Sequence, residues 1–453
     1  MNEFTPHGFI PKGAERRETR WRDGGDLVWL YIDMNSYFAS CAQHDNVDYR
    51  GRPLIVVPTM TNYTSAIAAS YQAKALGIKT GTSVLEARQK CPDIIVVEAD
   101  PRRYFELHNQ IKEAVDRVIP IELVCSIDEF ACRLMGPQKL ETKALKLALD
   151  VQQSIMHLVG PCLTSSVGLA PSILLAKTGA DMKKPLGVTL LRMDHLPKPM
   201  LNLEIDDFAG IGPAMGRRLR LAGINDVETL WALSPSRMRQ LWGGVVGENF
   251  WYALHGHDTP RAETTRSSIG HSHVLAPALR PKDAAYHVAR YLVTKCANRL
   301  RQMDYKTPRI YLSLRGDGAE KSGCEARFDA TYDTFKLLKV TDELWQTCIK
   351  GFSKPNVKKI SVTCLSLVCS SDNVDLFGWS LDNQENLKNM NVLNALDRIN
   401  QRYGKNCVTI GPKAKVHQFV GEKIAFTRVP SAEEFNLGTH KSNLATPAAT
   451  RTR

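Results

Sequence analysis

The chain has 453 residues, 43% of them hydrophobic, with a net charge of +12 and a pI near 9.1. That length allows several domains with sizeable cores, and the basic balance favours a polyanionic partner, because cations that displace condensed counterions supply non-specific DNA affinity. No run of about 18 apolar residues reads as a membrane span. The first 25 residues lack the apolar core of a signal peptide, and eleven scattered cysteines without a Cys-x-x-Cys pair argue against zinc and for reduced thiols in a cytosolic protein.

Taken in order, residues 1–25 read as a polar, basic, flexible arm able to touch DNA. Residues 27–33 (Leu-Val-Trp-Leu-Tyr-Ile-Asp) read as a strand ending in an acid, and 34–40 as a turn into a helix. Residues 51–57 give a turn and a short strand. An Ala-rich helix is expected over 64–77, closed by Gly77 and Gly81, with a second near 83–90. Leu107, Ile111, Ala114, Val115 and Val118 recur at helical spacing over 102–118, as do Leu145, Ala148, Leu149, Ile155 and Met156 over 139–159.

Between those two helices lies Cys125-Ser126-Ile127-Asp128-Glu129-Phe130, two carboxylates among apolar residues. Lone charges in such a run are costly if buried. Neighbouring side chains on a strand face opposite ways, so both acids meet one ion only near a strand end or turn. Solvated acids in a turn are the alternative. If this stretch pairs with residues 27–33, Asp33, Asp128 and Glu129 converge. Carboxylates are hard ligands suited to Mg²⁺ shared with substrate phosphates, and two ions about 3.5–4 Å apart are the arrangement of polymerases and nucleases.

Further on, 163–169 alternates like a strand, 172–182 is helical, and Lys183-Lys184-Pro185-Leu186-Gly187 follows. Residues 203–230 carry Phe208-Ala209-Gly210-Ile211-Gly212-Pro213, a second run at 215–221 and Gly223-Ile224, the pattern of a helix-hairpin-helix. Its glycines let backbone N–H groups approach a phosphate. A plain αα turn looks similar, and the nearby Arg217, Arg218 and Arg220 favour DNA. After a linker at 259–265 come a strand at 268–275, a helix at 281–303, strands at 309–315 and 324–329, a helix at 334–350 and a strand at 358–368, in the order βαββαβ.

The strand-Asp-Met-Asn-Ser-Tyr-Phe element, Ser126-Ile127-Asp128-Glu129, Ser166-Val167-Gly168-Leu169-Ala170-Pro171 and the Lys-Lys-Pro-Leu-Gly stretch together resemble the Y-family (UmuC/DinB type) translesion DNA polymerases. Asn35 and Lys74 stand closer to the UmuC-like members. The resemblance implies an α/β multidomain right-hand polymerase: an α+β palm at 26–45 and 93–190, fingers at 46–92, a helix-hairpin-helix thumb at 191–258 and a βαββαβ little finger at 266–370. A C-terminal extension at 371–435 and a disordered tail at 436–453 complete the chain. It also implies low-fidelity, low-processivity synthesis opposite damaged DNA, in the cytoplasm on the nucleoid. Asp33, Asp128 and Glu129 would be catalytic and, with the Met34 carbonyl, hold two Mg²⁺. Tyr37, Phe38, Tyr71, Lys74 and Lys184 would bind the incoming deoxynucleoside triphosphate, with the Phe38 ring excluding a 2′-hydroxyl.

Lys183 is the neighbour to be confused with Lys184, and Ser172-Ile173 replaces an Asn-Lys pair common in the family, so one basic contact is missing. Lys74 stands where the family often has Arg and cannot form a bidentate phosphate fork. Gly210, Gly212, Arg217, Arg218, Arg309 and Arg315 would grip the primer-template, although solvated strand edges also carry arginines. Asn373, Asp375, Leu376 and Phe377 resemble a sliding-clamp-binding peptide, with Asn373 in place of the usual Gln. A UmuD-like accessory subunit is a further implied partner. The rival readings are another palm-type nucleotidyltransferase and a non-catalytic family member that recruits partners to damaged DNA.

Overall fold

The computed structural model describes residues 27–62, 64–259, 266–316, 318, 320–369, 383–403, 407–410 and 429. They form two compact units, one holding 27–259 and the other 266–410. The expected arm at 1–25, the interior of the linker, the clamp-type peptide and most of the C-terminal extension and tail lie outside the described residues. Among those described, no helix is long and apolar enough to cross a membrane.

The first unit opens with β1 (Trp29–Met34) and α1 (Tyr37–Asp45), then β2 (Leu54–Val57), β3 (Ala68–Ala69), α2 (Tyr71–Ala75), α3 (Val84–Lys90) and β4 (Ile95–Glu98). Next come α4 (Pro101–Asp116), β5 (Ile121–Val124), β6 (Glu129–Arg133), α5 (Glu141–Leu158), β7 (Ser165–Ala170), α6 (Ile173–Met182) and β8 (Val188–Leu190). A five-stranded sheet runs β5-β6-β1-β7-β8, antiparallel except for β7 with β8.

Every residue of the central strand β1 is buried, as its unbroken apolar run requires. Its alternation sorts the two faces. Leu30 and Ile32 share a core with Leu107 and Ile111 of α4 and with Val151 and Ile155 of α5. Trp29 and Tyr31 share another with Leu175, Ala176 and Ala180 of α6. Asp33 has the parity of Trp29 and Tyr31, so the chain points it at α6. Close approach of α6 depends on Gly168 in β7, where an added Cβ would lie 1.9 Å from the Ala176 carbonyl oxygen and 2.5 Å from the Ala180 nitrogen.

A small sheet, β3-β2-β4, carries the module between α1 and α4. The expected helix over 64–77 is a correction: only 71–75 is helical, and Ala68–Ala69 pairs with β2 instead. Ala66, Ala69 and Ala73 all enter a core with Ile55, Val57, Ile78 and Val84, so tertiary packing overrides the helix propensity of the alanines. Ser70 then caps α2 by accepting from the Ala73 N–H.

Four helices follow, α7 (Pro213–Leu221), α8 (Val227–Trp231), α9 (Pro235–Trp242) and α10 (Val245–Leu254). Their Leu219, Val227, Leu230, Met238, Phe250 and Leu254 join the core of Trp29 and Tyr31.

The second unit contains β9 (Ser268–Val274), α11 (Lys282–Gln302), β10 (Tyr305–Arg315), β11 (Lys321–Thr331), α12 (Thr334–Lys350), β12 (Lys359–Leu365), the two-residue β13 (Val368–Cys369) and α13 (Asn383–Tyr403). The expected βαββαβ order is present, as an antiparallel sheet β11-β10-β12-β9. Ile310, Leu312, Leu314, Ile360 and Val362 pack against Val293, Leu300, Leu338 and Trp345 of the two helices. β11 and α12 bring the Cα atoms of Cys324 and Cys348 to 6.2 Å, a separation within disulfide range. Asp397 of α13 takes the largely buried Arg301 guanidinium at 2.7 Å.

Candidate active site

In the antiparallel ladder of β1 and β6, Asp33 lies directly opposite Glu129. Parity puts both on the α6 face, and the Met34 N–H donates to the Asp128 carbonyl at 2.9 Å. Like charges facing each other across a ladder repel. Lys177, from the middle of α6, supplies the opposing charge: its ammonium pairs with Asp33, with Glu129 at 2.5 Å and with Asp181 at 3.2 Å. Lys184 adds 2.7 Å contacts to Asp33 Oδ1 and to Asp181. It is Lys184, not the exposed Lys183, that reaches the acids.

Burial would push Glu129 up, but the Lys177 ammonium and its hydrogen bond overcome that and hold it below the usual carboxylate range. Burial likewise works to lower Lys177, and the Asp33, Asp181 and Glu129 charges win, so it stays firmly protonated. Asp128 has no lysine at bonding distance. It accepts from Ser126 Oγ at 2.5 Å, and burial together with the Asp33 and Glu129 charges pushes it up to about 6.

Among the described residues no three acidic, His or Cys side chains form a ready-made metal group. The backbone positions of Asp33, Asp128 and Glu129 meet as the sequence suggested, but their side chains are engaged with Lys177, Lys184 and Ser126. The donor set itself fits a hard divalent cation: three buried or half-buried carboxylates at one strand end, with excess negative charge that Lys177 and Lys184 already balance.

The remaining candidates gather beside these acids. Ser36 adopts a left-handed conformation at φ 47° and starts α1, so Tyr37 and Phe38 occupy its first turn, where backbone N–H groups have no intrahelical acceptor. Both side chains are buried. Lys74 donates to Ser36 Oγ at 2.7 Å, and its ammonium lies 4.5 Å from the Tyr71 ring centroid. Burial, then the neighbouring Lys184 charge, lowers the Lys74 pKa. Asn35 is fully buried; its amide donates to Thr164 Oγ1 at 3.1 Å and accepts from Ser166 Oγ at 2.9 Å and Tyr71 at 3.4 Å. Three segments distant in sequence thus bring a carboxylate cluster, two lysines and a free helix start to one place, the requirement of a phosphoryl-transfer site.

Comparison with known proteins agrees. The impB/mucB/samB family matches residues 32–181, and its C-terminal domain matches residues 266–376. DNA polymerase IV of Moorella thermoacetica is 35% identical over 296 residues, covering 64% of this chain and 73% of the relative. The chain is a Y-family DNA polymerase of the impB/mucB/samB family. DNA polymerase IV 1 of Bacillus subtilis is 25% identical over 89% of this chain and 97% of its own length. A Y-family DNA polymerase chimera shares the fold with a TM-score of 0.63 at 22% identity, over 76% of this chain and 99% of that one.

In this Y-family polymerase the other expected contacts are carried by other elements. Gly210, at φ 95°, and Gly212 form the turn into α7, the left-handed φ favouring glycine at the first. Arg217 is exposed, but Arg218 donates to the Leu241 carbonyl of α9 at 3.0 Å and Arg220 pairs at 2.7 Å with Asp206, in the turn before α7, so these two also hold α7 in place. In the second unit, Arg309 and Arg315 point away from the helix-covered face of β10. Arg309 pairs with Glu325 at 2.5 Å, whereas Arg315 sits in a row with Lys321 and Lys359 on the adjacent strands. Lys177 is the functional candidate that sequence reading passed over. It is the lone charge in the apolar stretch 173–180, four residues before Asp181 on the same helix face, with Lys184 just beyond the helix end.

Proposed function

We propose that this polymerase adds deoxynucleotides to a primer 3′ end opposite damaged template bases, with Asp33, Asp128, Glu129 and the Met34 carbonyl holding two Mg²⁺. The observation that carries the proposal is the direct pairing of Asp33 and Glu129 across β1 and β6, with two lysine ammoniums converging on them. Divalent ions held by these groups would supply Lewis acidity at the primer hydroxyl and positive charge for the leaving pyrophosphate. The chain's own residues do the positioning. The first-turn N–H groups at Tyr37 and Phe38 meet phosphate oxygens. Tyr71, Lys74 and Lys184 surround the triphosphate with hydrogen-bond donors and positive charge, and their desolvation strengthens those contacts. The Phe38 ring lies beneath the sugar. Gly210, Gly212 and Arg217 of the first unit, and Arg309 and Arg315 of the second, contact backbone phosphates, which positions DNA without reading sequence.

Asn35 and Lys74 support placement with the UmuC-like branch. Asn373, Asp375, Leu376 and Phe377 would recruit the sliding clamp, and a UmuD-like subunit is a further candidate partner. The non-catalytic alternative has no support: all three acids are present, and the compared relatives are named as polymerases.

Primer extension tests the assignment. Asp128→Ala should abolish nucleotide incorporation while primer-template binding, followed by fluorescence anisotropy, stays within about threefold of wild type. Normal extension in that variant would remove Asp128 from the site.

A further inference from the structure

We infer that Tyr104 is a positioning residue for the sugar gate: its ring sets the position of Phe38, and thereby how strongly the site rejects ribonucleotides. This rests on the reading of Phe38 as the gate. Phe38 stands in the first turn of α1 and is 6% exposed. Its ring stacks on Tyr104 of α4, with centroids 4.4 Å apart and planes 27° from parallel. Tyr104 is itself buried.

The two helices are fastened on both sides of this stack. The Tyr37 hydroxyl donates to the Tyr104 carbonyl at 2.6 Å, and Arg103 forms a two-pronged ion pair with Asp45 at the far end of α1, with its closest contact at 2.8 Å. Asp100 caps α4 by accepting from the Arg103 N–H at 3.1 Å. The floor beneath Phe38 is therefore a fixed aromatic face, not a yielding aliphatic contact.

A steric gate works only if the ring cannot retreat. An added 2′-hydroxyl overlaps Phe38 when the ring holds its place, and the overlap disappears if the ring can sink by a fraction of an ångström. Stacked aromatic faces at van der Waals contact resist that displacement. Replacing Tyr104 by a smaller side chain leaves unfilled volume on the far side of Phe38, into which the ring can relax. Selectivity then falls with the gate residue untouched.

The experiment compares kcat/KM for matched ribo- and deoxyribonucleotides in the full chain and in Phe38→Ala, Tyr104→Phe and Tyr104→Leu, with a thermal melt of each. Phe38→Ala should raise the ribo-to-deoxyribonucleotide ratio about ten- to a hundredfold. Tyr104→Leu should raise it roughly tenfold, and Tyr104→Phe, which keeps both ring and carbonyl, should keep the wild-type ratio within about twofold. A purely structural role for Tyr104 would lower both nucleotides together and leave the ratio fixed. If Tyr104→Leu does not fold, Tyr104→Met carries the same expectation. An elevated ratio in Phe38→Ala with an unchanged ratio in the aliphatic variant overturns the role of Tyr104 and leaves the gate standing. An unchanged ratio in Phe38→Ala overturns the gate, and this inference with it.

Discussion

Lys177→Met removes one charge while keeping most of the side chain's length, and its consequence follows from the burial of its partners. The Lys177 side chain is 19% exposed, and those of Asp33 and Glu129 are 6% and 22%. Taking one partner from a buried pair leaves uncompensated charge and costs about 3–5 kcal/mol. Lys184 remains on Asp33 and Asp181, which argues for the lower end. A loss of about 3 kcal/mol in a unit of this size lowers the melting temperature by roughly 6–12 °C. The measurement is a calorimetric scan in chelator, repeated with Mg²⁺. A divalent ion replaces the missing positive charge, so Mg²⁺ should raise the melting temperature of the variant by more than it raises that of wild type. A variant melting within about 2 °C of wild type in chelator would refute the claim that Lys177 neutralises the acids. So would a loss that Mg²⁺ does not reduce.

Asp128→Asn tests the electrostatics from the other side. Asp128 is pushed up to about 6, mainly by burial, so the folded protein takes its proton more readily than the unfolded chain. Its ionisation therefore costs stability above pH 6, and that cost fades as pH falls toward about 4, the ordinary carboxylate range. The Asn variant should melt higher than wild type at pH 7.5, with an advantage that shrinks from pH 6 downward; a pH-independent difference would contradict the assignment. For recruitment, changing Leu376 and Phe377 together to Ala should weaken clamp binding by more than about tenfold, since each buried anchor is worth roughly 1.5–3 kcal/mol. Extension of short primers without clamp should hardly change, and unaltered clamp affinity would show the peptide match to be accidental.

Much of the fold was legible because the central strands carry strong patterns. The apolar run at 27–33 reads directly as a buried strand ending in Asp33, and a strand was expected at 309–315; Glu129 opens β6, so pairing of β6 with β1 brings it opposite Asp33. What was missed depends on contacts distant in sequence. Alanines at 66, 69 and 73 favour helix locally, yet a small sheet needs small residues there. Lys177 is a single charge in an otherwise apolar helical stretch, and nothing in that local pattern names its partners. Its partners lie on β1 and β6, and only assembly of the sheet reveals them. Asp128 differs for a local reason: Ser126, two residues earlier, captures its carboxylate in the turn before β6.

The contact between Gly168 and α6 has a consequence for how such a chain tolerates change. A single methyl at Gly168 would collide with the carbonyl of Ala176, the residue just before Lys177, and Gly179 closes the same gap from the helix side. Any side chain at 168 lifts the helix and carries Lys177 away from Asp33 and Glu129. A library selected for function should show position 168 as intolerant as the proposed catalytic positions 33, 128 and 129. Single compensating substitutions should be scarce, because relief needs the strand and the helix to change together. In such a survey the imprint of one missing carbon atom would be indistinguishable from that of a reactive group, and only purified variants, folded but displaced, would separate the two.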